Sequence, residues 1–388
     1  MQLQYKRILA VKLADLGDLL TTTPALQALR AAHPAARIDL LVPPRSADLL
    51  KDAGYIDRIL TFDKFAFDSL RGLLDIRGIV QTVAFLARLR ATRYDAIAIF
   101  HHYTSRWGTL KFAVLALASG SRVRGGIDNG RGGFLTHRVP DEGFGAMHEA
   151  EYWLGVAALL GADATAGWRS RIPVGEDDKT AAQSLLASFG KQRATPLLAI
   201  HPGAGAYSRA RIWPVAGFAG VAKGLIKSHD ARVVILGGPD EIEAASQLEQ
   251  LIGDSGPVLN LAGRTGVHQT AAIISECDLF LGNDSGPMHI AAAVQTPVVA
   301  VFGPSNSRAW GPYTPAGQVS PHAIVSRDLP CMPCFYRAHD LGLREGCGTR
   351  PCLTGLSHVP VLRACREALD KAASVMRTVQ NSEANSGS

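Results

Sequence analysis

The sequence predicts an α/β protein made of two Rossmann-like halves, each a parallel sheet covered by helices, with a cleft between them. Three observations predict it. Short apolar runs alternate with segments whose apolar residues recur at helical spacing, the rhythm of βαβ units. That rhythm starts twice, on either side of a polar break at 163–195 that contains Gly167, Pro173 and Gly175. The 388 residues are also enough to build two separate cores.

In chain order, the first half offers strands at 8–13, 37–42 and 95–100, with helices at 24–32 and 108–118. A helix from 177 to 189 leads out of the break. The second half offers strands at 196–201, 231–237, 257–261, 278–282 and 297–302, separated by helices at 216–226, 240–251 and 267–275. A last helix spans 357–378, and QNSEANSGS at 380–388 reads as a disordered tail. The expected organisation is a first domain over 1–175, a second over 176–356 that includes the Cys-rich segment 331–352, a terminal helix over 357–379 and the tail.

With 47% hydrophobic and 19% charged residues the composition is that of an ordinary globular protein. No apolar run reaches the length of a spanning helix, and the first residues lack the basic, apolar, small-residue order of a signal peptide. A cytoplasmic protein is expected. Residues 1–175 hold 22 Lys and Arg against 16 Asp and Glu, whereas 176–388 hold 18 of each, so the whole excess of +6 lies in the first half. Either it is a solvated basic face, or this half meets an anionic partner. No helix-turn-helix, RNA-recognition or zinc-finger signature accompanies it, which argues against nucleic acid.

The turn after the first strand is unusual. A dinucleotide-binding protein carries glycines there to admit a pyrophosphate. Here the turn reads Asp15-Leu16-Gly17-Asp18, and two carboxylates repel phosphate. The second half supplies the anion sites. LLAIHPGAGAYSRARIWP is a strand ending at His201, then a turn in which Gly203, Ala204 and Gly205 let backbone approach a ligand. Arg209 and Arg211 follow as forked donors suited to phosphate, or as plain surface arginines of a βα turn. Gly237 and Gly238 follow another strand, and Asp240 and Glu241 behind them suit a helix N-terminus. In GNDSGPMHIAAA, a strand runs into Asp284, Ser285 and Gly286, and the next helix carries His289. Free N–H groups and the Ser285 hydroxyl at that helix start make an anion site. Asp284 as a simple cap and His289 as a core histidine are the plainer alternatives.

Together, ILAVKLADLGDLLTTTPALQALRAAHP, HPGAGAYSRARIWP and GNDSGPMHIAAAVQTPVVAVFGPS resemble glycosyltransferase family 9, the lipopolysaccharide heptosyltransferases, in order and spacing over roughly residues 5 to 370. The resemblance implies a GT-B fold of two facing Rossmann-like domains, the first binding the acceptor and the second the nucleotide-sugar, with the terminal helix packing back on the first domain. It implies an inverting, metal-independent transfer of heptose from ADP-heptose to the inner core of lipopolysaccharide. The partners implied are an anionic lipid A–Kdo glycolipid and, peripherally, the cytoplasmic face of the inner membrane. On the family's pattern the general base falls on Asp18, with Asp15 the competing acid, and the phosphate-contacting base on Arg211, where Lys is commoner. Asp284 falls beside the nucleotide. Other readings stay open: a GT-B transferase or epimerase acting on another nucleotide-sugar, or a non-catalytic nucleotide-sugar-binding module.

Five of six cysteines lie between 331 and 365. Cys331, Cys334, Cys347 and Cys352 read C-x2-C-x12-C-x4-C, spacing close to a zinc ribbon, so a structural zinc, a set of reduced thiols or a redox pair is expected there. The family resemblance implies no cofactor for catalysis. Cys277 and Cys365 read as small buried hydrophobes.

Overall fold

The structure is a computed structural model and describes residues 4–63, 76–192, 195–205, 209–334 and 347–386. It divides into two compact units, one running to Pro173 and the other starting at Val174.

The first unit is a six-stranded sheet in the order β3-β2-β1-β4-β5-β6, every neighbouring pair parallel. Its strands are β1 (Arg7–Val11), β2 (Arg37–Val42), β3 (Arg58–Thr61), β4 (Ala96–Ile99), β5 (Val123–Asp128) and β6 (His137–Pro140). β1 and β4 are apolar and buried almost throughout, as a strand covered on both faces must be. One face carries helices Ile76–Thr92 and Arg106–Ala118, whose Leu89, Phe112 and Leu115 share a core with Leu9, Val11, Ile97 and Ile99. Helices Thr23–Ala32 and Glu149–Ala158 pack together elsewhere in the unit.

The second unit repeats the plan: β12-β11-β10-β7-β8-β9, again all parallel. Here the strands are β7 (Leu197–His201), β8 (Arg232–Ile235), β9 (Val258–Asn260), β10 (Leu279–Asn283), β11 (Val298–Phe302) and β12 (Ala323–Ser326). In both sheets the strand order reverses beside the unit's first strand, between β1 and β4 and between β7 and β10. Ligands of open parallel sheets bind at such points, outside the carboxyl ends of the strands.

Two expectations about the C-terminus give way. The final helix, His358–Ser386, was expected on the first domain, yet its Val361, Cys365 and Leu369 are buried in the core of the second unit. The reason lies in the helix Val215–His229. A Cβ on its Gly220 would sit 2.7 Å from His358, and one on Gly224 would overlap Leu362, so two glycines four residues apart let the backbones close up. The expected disordered tail is helical as far as Ser386, because neither Gly nor Pro interrupts the chain between Pro360 and Gly387.

Candidate functional site

At the switch point of the first unit, β1 ends at Val11 and the chain passes through Lys12 into the short helix Leu16–Leu20. Asp15 takes the N-cap position but makes no side-chain cap bond; its carboxylate pairs with Arg45 instead. Asp18 lies in the first turn of that helix with its side chain one-third exposed, and Lys12 Nζ lies 4.0 Å from Oδ1. Lys12 itself is only 1% exposed and its ammonium sits 3.9 Å from the centroid of the Trp153 ring. A buried ammonium is costly without such compensation, and the ring face and carboxylate supply it. The hydroxyls of Thr21 and Thr22 donate to the Asp18 carbonyl at 2.8 and 3.0 Å, and Trp153 Nε1 donates to Thr21 Oγ1 at 3.2 Å. The threonine run thus ties the acidic turn to the Glu149–Ala158 helix.

Across the same switch point, beyond β4, stands a group the sequence reading missed. His102 Nδ1 lies 3.1 Å from Asp141 and Nε2 3.1 Å from Glu149. Burial opposes its charge, but the two carboxylates outweigh burial and push its pKa up to about 9. Its ring also meets Trp153 edge-on at 5.3 Å, so Trp153 touches both the Lys12 ammonium and the imidazolium. No local motif joins positions 102, 141 and 149; only the sheet topology does.

In the second unit the expected residues gather around the β7–β10 switch point, with a changed division of labour. Arg211 donates through Nη2 to the Ala204 carbonyl at 3.0 Å, and its Nη1 lies 3.4 Å from Asp284 Oδ2. Asp284 and Ser285 are buried. The Ser285 hydroxyl, expected to face a ligand, lies 3.3 Å from His201 Nδ1, and Gly286 opens the helix that carries a buried His289. Arg209 is exposed, in the 3-10 turn Arg209–Arg211.

The glycines of the two turns lie against Glu241. A Cβ on Gly203 would overlap the Glu241 carboxylate, and one on Gly237 would sit 3.2 Å from the Glu241 Cβ. Gly238 and Gly205 donate their N–H groups to Glu241 at 2.9 and 3.1 Å, Gly205 with a φ of +70°. His201 Nε2 completes the set at 2.8 Å. The Gly-rich turns therefore wrap a carboxylate of the chain itself. Burial works against that charge, but His201 and the two N–H groups outweigh it and hold the Glu241 pKa down at about 2. Sequence reading gave Glu241 only a helix-dipole role, since His201 and Gly205 come from the end of β7 and the turn behind it, some forty residues away in the chain.

Asn283 is the second omission. Its Oδ1 accepts from Trp213 N at 3.0 Å, and its Nδ2 donates to the carbonyls of Pro202 and Gly203, both at 2.9 Å. Fully buried, it pins the turns after β7 to the end of β10.

Of the Cys-rich segment expected to hold a zinc, residues 335–346 lie outside the described residues. Cys331 and Cys347 are exposed, Cys334 half-buried and Cys352 buried, all as free thiols. Among the described residues no group of three or more His, Cys, Asp or Glu is arranged to hold a metal ion. Cys277 and Cys365 are buried, and burial pushes both thiols up. No helix among the described residues is long and apolar enough to cross a membrane.

Comparison with known proteins follows the same lines. The chain is 35% identical over 143 residues to lipooligosaccharide heptosyltransferase 2 of Campylobacter jejuni, a match spanning 36% of this chain and only 43% of that protein. It is 28% identical over 306 residues to a lipopolysaccharide heptosyltransferase 3 of Escherichia coli, spanning 77% of this chain and 84% of that one. The solved structure of the E. coli ADP-heptose lipopolysaccharide heptosyltransferase II shares its two-domain α/β GT-B fold at a TM-score of 0.68 and 22% identity, covering 94% and 99% of the two chains. The model of glycosyltransferase family 9 (heptosyltransferase) matches residues 82–343, well over half the sequence, and the chain belongs to that family.

Proposed function

We propose that the protein transfers a heptose from ADP-heptose to the inner core of lipopolysaccharide, with inversion at the anomeric carbon. Residues 1–175 take the acceptor and 176–356 the donor. The acceptor oxygen attacks the anomeric carbon as the bond to the diphosphate breaks; the hydroxyl proton passes to Asp18, and ADP leaves with the bonding electrons. An acidic turn suits this task as a glycine loop would not, because the reacting sugar carries positive charge in an oxocarbenium-like transition state. Arg211 and Arg209, with the N–H groups at the helix start after Asp284, meet the charge that grows on the diphosphate. Gly203, Ala204, Gly205, Gly237, Gly238, Ser285, Gly286 and His289 line the nucleotide-sugar side.

The observation that carries this reading is the Asp18 carboxylate at the β1–β4 switch point, partly exposed with the buried Lys12 ammonium beside it, whereas Asp15, the more exposed of the two, pairs with the surface Arg45. Family membership and heptosyltransferase relatives support the donor and acceptor classes. An acidic glycolipid also suits the basic first half. Catalysis in this scheme needs no metal, and the thiols at 331–352 stand outside it.

The test is incubation of purified protein with ADP-heptose and heptose-deficient inner-core lipopolysaccharide. A mass gain of one heptose, with product of opposite anomeric configuration to the donor by NMR, is expected. A product of the same configuration removes the single-displacement mechanism. No gain while ADP still binds means another sugar or acceptor, to be sought in a nucleotide-sugar panel.

A further inference from the structure

His102 follows β4 at the carboxyl edge of the first sheet, where ligands of open sheets bind, yet it is not arranged to touch one. Both ring nitrogens are engaged, Nδ1 by Asp141 and Nε2 by Glu149, each at 3.1 Å. The three side chains are almost buried, at 11, 4 and 2% exposure. Two carboxylates on one imidazolium leave a negative charge in excess, which is costlier to bury than a plain ion pair. A fold that had only to tie the end of β6 to the helix Glu149–Ala158 would be served as well by a neutral bridge.

The excess charge has a counterpart at Trp153. The indole meets His102 edge-on at 5.3 Å and carries the Lys12 ammonium 3.9 Å from its centroid. Lys12 lies 4.0 Å from Asp18 Oδ1. Trp153 Nε1 donates to Thr21 Oγ1, whose hydroxyl donates to the Asp18 carbonyl. One buried, rigid side chain therefore joins Lys12 and Asp18 to His102, Asp141 and Glu149, two cations to three carboxylates.

Removing the proton from His102 has two consequences, and both bear on Asp18. One ring nitrogen then turns a lone pair on a carboxylate, so the imidazole leaves its place and Trp153, packed on it, shifts as well. The two carboxylates are no longer offset, and they draw on the buried Lys12 ammonium.

We propose that protonated His102 is a positioning residue for Asp18: clamped by Asp141 and Glu149, it holds Trp153, and through Trp153 the Lys12 ammonium, in the place that aims the carboxylate. The proposal rests on the transfer role of Asp18 and adds a residue that acts without touching substrate. Other ionisable neighbours are committed elsewhere. The Tyr152 hydroxyl donates to the Gly143 carbonyl, His148 caps the Ala150 N–H, and the His101 ring lies on Phe112.

The two carboxylates push the His102 pKa up to about 9, so its charge changes within a measurable range. The experiment follows kcat and KM for ADP-heptose from about pH 7 to 10, with circular dichroism checking that the chain stays folded. In wild type kcat falls with a midpoint at about 9 while KM holds. Glu149→Gln removes one charge that keeps the proton on His102, so the midpoint moves down toward the ordinary 6.5. His102→Gln has a kcat lower by about tenfold or more and no step in this range. A purely structural cluster would alter stability and leave the midpoint in place.

A substrate-free readout accompanies it. The chain carries carbon-13 in its aspartate carboxyl groups, and the Asp18 signal is identified by its loss in Asp18→Asn. That signal steps at about pH 9 in wild type, at lower pH in Glu149→Gln and not at all in His102→Gln. The proposal is overturned if the wild-type signal does not step, or if Glu149→Gln keeps the wild-type midpoint in either readout. It is equally overturned if His102→Gln matches wild type in kcat and profile. The labelled samples hold no sugar, so a missing step counts against this positioning alone. A step without heptose transfer counts against the activity alone.

Discussion

Lys12 Nζ lies 4.0 Å from Asp18 Oδ1 and 3.9 Å from the centre of the Trp153 ring, so one buried ammonium connects the proposed base to the first unit's core. The cation aims the carboxylate. Lys12→Met keeps the packing on Trp153 and removes the charge. The expected result is a fall in kcat of about tenfold or more with KM for ADP-heptose little changed. A fall in stability with kcat unchanged would assign Lys12 a packing role only.

Gly203 is a glycine because the Glu241 carboxylate occupies the space of its side chain. Gly203→Ala must displace Glu241 from the N–H groups of Gly205 and Gly238 and remould the turn. ADP affinity should drop about tenfold or more in calorimetric titration. Adding Glu241→Ala should recover part of the loss, because the clash is gone. Additive losses would place the two residues in independent roles.

Asn283 makes three hydrogen bonds in a fully buried position. Asn283→Ala leaves the Trp213 N–H and two carbonyls without it and is expected to cost about 2–4 kcal/mol, read by urea unfolding of the second unit. Asn283→Asp, which keeps one acceptor and buries a charge beside two carbonyls, should be no better tolerated.

His102 makes stability depend on pH. Its folded pKa of about 9 lies above the ordinary 6.5, so the pairs with Asp141 and Glu149 stabilise fully below about 6.5 and are lost as pH rises through 9. Above that, two buried carboxylates face each other beside Tyr152, whose hydroxyl donates to the Gly143 carbonyl at 3.0 Å. Unfolding free energy of the first unit should fall between pH 6.5 and 9.5 by an amount on the order of 1–3 kcal/mol. His102→Gln should be less stable at pH 6.5 and nearly flat across that range.

The sequence exposed the parts of this protein whose signal is local. Strand β2 falls on the expected 37–42 and the helix Val267–Ser275 on the expected 267–275, because the signal is local: Ile38, Leu40, Leu41 and Val42 cluster in the strand, and Val267, Ala271 and Ile274 recur at helical spacing. The strands it did not show are poor ones: β3 and β12 are four partly exposed residues each at a sheet edge, β5 holds two glycines and β6 ends in proline. The site divides the same way. The acidic turn at Asp18 and the arginine and GNDSG segments stand out because each breaks the local rule for its position. His102 with Asp141 and Glu149, Lys12 on Trp153, and Glu241 within its glycines do not, since each is made by residues that meet only after the sheets form.

The most direct measurement compares wild type, Asp18→Asn and Asp15→Asn in single-turnover transfer from ADP-heptose, with ADP affinity measured on each protein. Asp18→Asn should bind ADP as wild type does and transfer heptose at least about a thousandfold more slowly, having lost the group that takes the proton. Asp15→Asn, which loses only its pair with Arg45, should retain most of the rate. Transfer by Asp18→Asn at the wild-type rate, or loss of transfer in Asp15→Asn alone, would contradict the assignment of Asp18 as the base.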